Sequence, residues 1–436
     1  MGDYLGSTRQ QQSEMLKTLG LPDTDALFSE VPSDVMLKTL SIPKGKSEIE
    51  VRRHLEKMAA KNTIFRSIFR GAGSYNHYIP ALVRQISAKE EFVTAYTPYQ
   101  PEISQGVLQS IFEYQTMICE LTGLDASNAS VYDAATAAAE AISMCLDKKK
   151  KKVFLSAALS PMTIRTIQSY FSNRDVDFSI IPVKDGKTDI DELKKHSSDD
   201  VACCLIQQPN YYGCIEDASL ISDTVHQMNS KFVMSVHPIA ITALSSPGEC
   251  GADIAVGDAQ PLGLPLSFGG PYIGFMAATE KMMRKLPGRI VGETTDIEGK
   301  RAFVLTMQAR EQHIRREKAA SNICSNQAHC ALITATYMSV MGAKGIYDAA
   351  MQSYHKAHYL SGQLAAIDGI KLLYPTAFFN EFITQIDSNP DKILRELEKN
   401  RILGGLALDH GILWCVTEQN TKEDIDELVS IVRKAM

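Results

Sequence analysis

Apolar residues recur along this chain with two different periods. Between residues 105 and 122, Val107, Leu108, Ile111, Tyr114, Ile118 and Leu121 return every three or four positions, which predicts a helix with Ser104 as its N-cap. From Asn128 onward, short continuous apolar runs alternate with helical stretches. Residues 153–156, 178–183, 201–207, 232–236, 253–257 and 272–278 read as strands. Residues 134–146, 161–171, 189–195 and 218–229 read as the helices between them, the first rich in alanine. Strands apolar on both sides, separated by helices of about ten residues, predict a mostly parallel sheet covered on both faces.

The flanks follow other patterns. Residues 1–60 are polar and helical, with short helices at 13–19 and 23–28. A longer helix runs through Lys61, opened by Ser47 with Glu50 as its capping-box partner. Residues 287–300 are polar and read as a loop or short hairpin, and 301–307 as a strand. Helices at 327–341 and 345–367 precede a second, smaller alternation. Its strands are 371–374, 378–386 and 412–416. Its helices are 390–399 and 421–434, the last with Thr421 as N-cap and Asp424 three residues on. The expected organisation is a helical arm with a Gly-rich turn over 1–85, a large α/β domain over 86–330, and long helices with a small C-terminal α/β domain over 331–436.

Composition narrows the function. The chain has 436 residues, 44% hydrophobic and 22% charged, with net charge -6 and pI ≈ 6.0. It lacks the basic excess of a nucleic-acid binder. No apolar run approaches the roughly 20 residues of a membrane span. The N-terminus is no secretory signal, and Gly6 stands where a myristoylation signal wants Ser or Thr. Nine cysteines without a C-x-x-C pair read as reduced thiols of a cytoplasmic protein. Cys203 and Cys204 are adjacent in a strand, so they point to opposite faces and suit no shared metal. No metal site is expected.

Residues 251–275, GADIAVGDAQPLGLPLSFGGPYIGF, form a strand, a Gly/Pro-rich loop and the start of another strand. That is how many α/β enzymes present a cofactor, yet the stretch holds no lysine. Residues 71–78, GAGSYNHY, form a Gly-rich turn carrying His77 and Tyr78. Residues 96–102, YTPYQPE, are extended by their prolines. Residues 310–318 are strongly basic and read equally as an exposed face or as a contact for an anion or partner.

The segments GAGSYNHYIPA, TAYTPYQPEISQGVLQSIFEYQTMICELTGLDASNAS, GADIAVGDAQPLGLPLSFGGPYIGF, LPGRIVGETTDIEG and LTMQAREQHIRREKAASNICSNQ resemble the glycine dehydrogenase (decarboxylating) family, the P-protein of the glycine cleavage system. The resemblance is closest to the α half of the two-chain form and covers essentially the whole chain. It implies the α/β architecture of pyridoxal-phosphate (PLP) transferase fold type I. It also implies the family's reaction, in which glycine is decarboxylated and its aminomethyl group passes to the lipoyl arm of H-protein. Such a fold needs a lysine for the Schiff base, a carboxylate for the pyridinium nitrogen and donors for the phosphate. Matched to the catalytic half, Gln260 stands at the lysine position and Ser235 at the aspartate position. Lys281, Lys285 and Lys300 lie beyond the loop in polar contexts. Asn76, Ala134 and the pair His237-Pro238 also depart from the familiar pattern.

The resemblance therefore implies a subunit with no catalytic residue and no cofactor of its own. PLP is expected on a partner, subunit 2, in an α2β2 assembly that also meets H-protein. Tyr96, Thr97, Tyr99, Gln100 and His77 are the candidates for this chain's contribution to the partner's site. Packing of the subunit interface by the 96–100 segment, and local packing by His77, remain open beside that reading. Two other functions stand as alternatives: a non-catalytic scaffold or regulatory relative, and an independent PLP enzyme, against which Gln260 speaks.

Overall fold

The computed structural model describes residues 6–436 except 38, 40, 95, 96, 309, 310, 320, 322 and 324–326. The chain divides into two compact units, Met1–Thr63 and Ile64–Met436. In the first, helix α1 (Arg9–Leu19) opens on a capping box between Thr8 and Gln11 and closes on Gly20 in the left-handed conformation. Helix α2 (Glu48–Ala59) opens on the expected Ser47–Glu50 box. Neither helix buries a residue.

The second unit is built on a seven-stranded sheet. Its strands are β1 (Ala126–Ser127), β2 (Lys152–Ser156), β3 (Asp177–Ile181), β4 (Val201–Gln208), β5 (Lys231–Val236), β6 (Ile254–Asp258) and β7 (Gly274–Ala278). They lie in the order β1-β7-β6-β5-β4-β2-β3. The pairs β3-β2, β2-β4, β4-β5 and β5-β6 are parallel, whereas β7 runs antiparallel to β6 and β1. The parallel strands are apolar throughout because both faces are covered. Cys204 and Ile206 of β4 join one core with Phe232 and Met234; Cys203 and Leu205 join the other with Val233. The adjacent cysteines thus point apart, and the described cysteines are free thiols.

Helices pack around this sheet. α3 (Ala81–Ser87) and α4 (Gln105–Thr122) precede it. Ser104 precedes α4, but its hydroxyl makes no capping bond. Instead the Gln105 amide donates to the carbonyls of Pro101 and Phe303. α5 (Ala134–Cys145) buries Ala137, Ala138, Ala139 and Ala141 completely, so small side chains let its backbone approach the sheet. Asp133 caps it in a box with Thr136. α6 (Pro161–Tyr170) follows β2. The polar stretch after Pro287, read as a loop or short hairpin, is a regular hairpin, β8 (Ile290–Thr295) with β9 (Arg301–Thr306). Its inner residues Val291, Phe303 and Leu305 form a small core with Leu108 and Ile111 of α4.

The long helical run α7 (Ala328–Ala365) is interrupted at Gly342, whose φ of 63° and ψ of 172° are non-helical. This is the break expected between residues 341 and 345. Beyond it lies a four-stranded antiparallel sheet of β10 (Ile370–Leu372), β11 (Glu381–Ile386), β12 (Leu406–Leu408) and β13 (Gly411–Cys415), ordered β10-β11-β13-β12. Helices α8 (Pro390–Lys399) and α9 (Lys422–Ala435) cover it, α9 with the expected Thr421–Asp424 box. The start of the unit belongs here too: Ser67 and Ile68 pair in parallel with Ile402 and Leu403, and Phe69 O accepts from Cys415 N at 3.0 Å. Among the described residues no helix is long and apolar enough to cross a membrane.

Candidate functional site

A cleft of about 270 Å³ opens at the carboxyl ends of β4, β5 and β6. Gln207, Ser235 and Asp258, in the last two positions of those strands, lie in its wall, and Asp133, Ala134 and Ala135 bring the start of α5 to it. Strand ends beside a helix N-terminus are where open α/β sheets hold ligands. The Gly-rich turn, residues 71–75, closes one side, and Glu381 of β11 reaches in from the small sheet.

Ser235 lies in the cleft wall. Gln260 sits behind it, 1% exposed, and does not line the cavity. Its Oε1 accepts from Tyr75 N at 2.9 Å, and its Nε2 donates to Tyr75 O at 2.9 Å and Leu264 O at 2.8 Å. The carboxamide is a clip between the Gly-rich turn and the loop. Lys281, Lys285 and Lys300 are exposed and none lines the cleft. Lys285 instead donates to Met144 O at 2.8 Å.

The three carboxyls in the wall, Asp133, Asp258 and Glu381, were not anticipated from sequence. Asp258 accepts from Gln260 N at 2.8 Å. Burial pushes it up to about 7, opposed by the backbone N–H groups of Gln260, Ala134 and Ile273 and reinforced by the charge of Asp133. Glu381 accepts from Tyr75 OH at 2.8 Å and Ala72 N at 2.6 Å. Burial raises it to about 7 against those two bonds. The signal for Glu381 was a carboxylate inside the apolar run FFNEFITQI, since such groups are almost never buried without a reason.

His77 is buried outside the cavity. Its Nδ1 lies 2.7 Å from Glu418 Oε2, and its ring packs edge-on against His237 at 5.7 Å between centroids. His237, which does line the cleft, meets the Tyr75 ring at 4.4 Å. His237 Nδ1 accepts from Ile239 N and Ala240 N, each at 3.2 Å. Burial and then the neighbouring His77 hold the His237 ring well below its ordinary pKa, so it is neutral.

The other candidates lie elsewhere. Tyr96 is outside the described residues. Thr97, Tyr99 and Gln100 do not line this chain's cleft. Tyr99 OH accepts from Arg289 Nη2 at 2.8 Å, and the guanidinium stands 4.8 Å from the Tyr99 ring centre. Of the basic run, Arg310 lies outside the described residues. Arg315 and Lys318 join Arg284 and Lys285 around a separate cavity of about 310 Å³, which Glu140 and Glu311 also line.

A mostly parallel seven-stranded sheet, a cleft at its carboxyl edge and a small helix-covered antiparallel sheet after a long helix define PLP-dependent transferase fold type I. Solved structures place it there. A glutamate decarboxylase from Lactobacillus brevis superposes with TM-score 0.68 at 12% identity, over 92% of this chain and 95% of that one, a likeness of fold alone. A crystal structure of glycine decarboxylase (P-protein) of the glycine cleavage system, in inhibitor-bound form, superposes with TM-score 0.94 at 37% identity over 100% of both chains. The sequence profile of the glycine cleavage system P-protein matches residues 2–432. Relatives named probable glycine dehydrogenase (decarboxylating) subunit 1 include those of Moorella thermoacetica, 46% identical over 99% of both chains, and Listeria innocua, 45% identical over 98% of both. The chain belongs to the glycine cleavage system P-protein family.

Proposed function

We propose that this chain is the lysine-free subunit of a glycine decarboxylase and that it acts only beside a lysine-bearing P-protein subunit 2, in a cytoplasmic α2β2 assembly. The partner holds PLP. The pair decarboxylates glycine and passes the aminomethyl group to the lipoyl arm of H-protein. Relatives named subunit 1 of glycine dehydrogenase (decarboxylating) support this reading, since that name implies a second subunit.

The observation that carries the reading is the lining of the cleft. Among the described residues it contains Asp133, Asp258 and Glu381 but neither lysine nor arginine. A phosphate dianion meets no cation there, and Asp258 already draws on the Ala134 N–H at the helix start. The Gln260 amide is no nucleophile, and its hydrogens are spent on Tyr75 O and Leu264 O. The Ser235 hydroxyl cannot hold a pyridinium proton as a carboxylate does. The residues present do not fit PLP. Tyr96, Thr97, Tyr99 and Gln100 are the proposed contribution to the partner's site, where tyrosine hydroxyls and an amide suit a small zwitterion. His77 is assigned a supporting place through His237.

Co-expression with subunit 2 tests this. The pair is expected to bind PLP and to exchange carbon dioxide into glycine in the presence of H-protein, and this chain alone to do neither. Exchange by this chain alone overturns the reading. Equal activity of subunit 2 without this chain reduces it to a scaffold.

A further inference from the structure

The loop after β6 has a fixed base and a bare tip. At the base, Leu262 and Leu264 are buried, Leu264 N donates to Gln260 O at 3.1 Å, and Gln260 Nε2 returns a bond to Leu264 O. At the far end the Tyr272 hydroxyl accepts from Ser74 Oγ at 2.8 Å, and Gln327 Nε2 donates to Tyr272 O at 3.3 Å. Between these anchors Phe268 is fully exposed (106%), and Leu266 beside it is exposed as well. Phe268 also has φ of 51°, in the left-handed region that strains a bulky residue. From Ala259 to Thr279 the chain has no Asp, Glu, Lys, Arg or His.

Each feature works against solubility and stability in an isolated chain. Water gains nothing from a bare phenyl ring, and a glycine would adopt this backbone without strain. A rooted loop loses little conformational entropy on binding, an aromatic side chain is the usual anchor of an interface, and charge is depleted where interfaces are driest. The loop springs from the cleft rim, where Pro261 and Ser74 line the cavity.

We propose that residues 264–272 are a docking element whose Phe268 ring enters an uncharged apolar pocket on the lysine-bearing subunit 2. This rests on the two-subunit reading above, which supplies the occupant. It goes beyond that reading in naming the element and the chemistry of its receptor.

The test measures affinity between purified full-length chain and purified subunit 2 by calorimetry, with Phe268→Ala and Phe268→Gly as variants. Both variants are expected to weaken association by at least about tenfold. The isolated Phe268→Gly chain is expected to melt no lower than the parent, because glycine relieves the left-handed φ. Unchanged affinity in both variants overturns the docking proposal and leaves the two-subunit reading intact. Loss of a self-associated form of this chain, with subunit 2 binding unchanged, assigns the loop to a second copy and also overturns it. Absence of any binding between the parent chain and subunit 2 overturns the two-subunit reading together with this one.

Discussion

Gln260 holds Tyr75 through both polar groups of that residue's backbone, accepting from its N–H and donating to its carbonyl at 2.9 Å each. Gln260→Ala leaves the Tyr75 N–H and the Leu264 carbonyl without their partner, while the Tyr75 carbonyl keeps the His77 N–H at 3.2 Å. At roughly 1–3 kcal/mol for each buried group stranded, a loss of about 3 kcal/mol is expected in urea unfolding. Gln260→Lys is expected to lose as much and to yield no borohydride-trapped PLP adduct, because the cleft still lacks a cation for the phosphate. An adduct on the new side chain would falsify that account.

Stability should depend on pH through Glu381. Its folded pKa of about 7 lies above the ordinary 4.5, so the folded chain binds the extra proton between those values. Stability from this group is full below about 4.5 and is lost as pH rises through 7, an effect on the order of 3 kcal/mol. The groups facing it are the Tyr75 hydroxyl and the Cys415 thiol, both buried and both raised well above their ordinary values, so they stay neutral across that window. Asp258, also raised to about 7 from 3.8, acts in the same sense. Glu381→Gln should flatten the decline, melting higher than the parent at pH 8 and no higher at pH 5. A parallel pH profile in variant and parent would refute this.

Gly71 leaves no room for a side chain. A Cβ there would lie 2.5 Å from Glu381 Oε1, 2.8 Å from Cys415 Sγ and 2.8 Å from the Tyr75 ring. Gly71→Ala must displace the Gly-rich turn from the cleft wall, and about 1–3 kcal/mol of stability should go with it. Thermal unfolding of the isolated chain measures the loss.

Tyr99 separates a catalytic contribution from a packing one. Tyr99→Ala removes both the hydroxyl bond and the ring from Arg289, an expected loss of about 1–2 kcal/mol, whereas Tyr99→Phe keeps the ring over the cation. If the segment serves the partner's site, Tyr99→Phe lowers kcat of the pair while its assembly is unchanged. A variant that weakens only assembly assigns the segment to the interface.

Charge reversal at Arg315 and Lys318 probes the basic run. Their exposed charges beside Arg284 and Lys285 should attract an acidic surface, so the double reversal to Glu is expected to weaken H-protein binding and reduce its salt dependence. Unchanged binding removes this run as the docking surface.

What the sequence conveyed depended on range. The sheet strands, the break at Gly342 and the capping boxes at Ser47 and Thr421 are written within a few residues of themselves, in period and in pairs three apart. The hairpin Ile290–Thr295 with Arg301–Thr306 was blurred because only one of its faces is apolar and its tip is charged. The pairing of Ser67–Ile68 with Ile402–Leu403 carried no local mark, since its strands are two residues long. The cleft was half legible. Ser235 lines it, but Gln260 does not; instead Gln260 finds Tyr75 across 185 residues, and Glu381 reaches Tyr75 across 306. Pairings at that distance leave no periodicity to read.

Asp258 at the start of helix α5 has a consequence for how this chain comes into being. That helix end meets a carboxyl of its own chain, the Asp258 group accepting from the Ala134 N–H as soon as the sheet closes. On the division of labour proposed above, the polypeptide matures without vitamin B6, and nutritional control of the assembled enzyme falls to the other subunit.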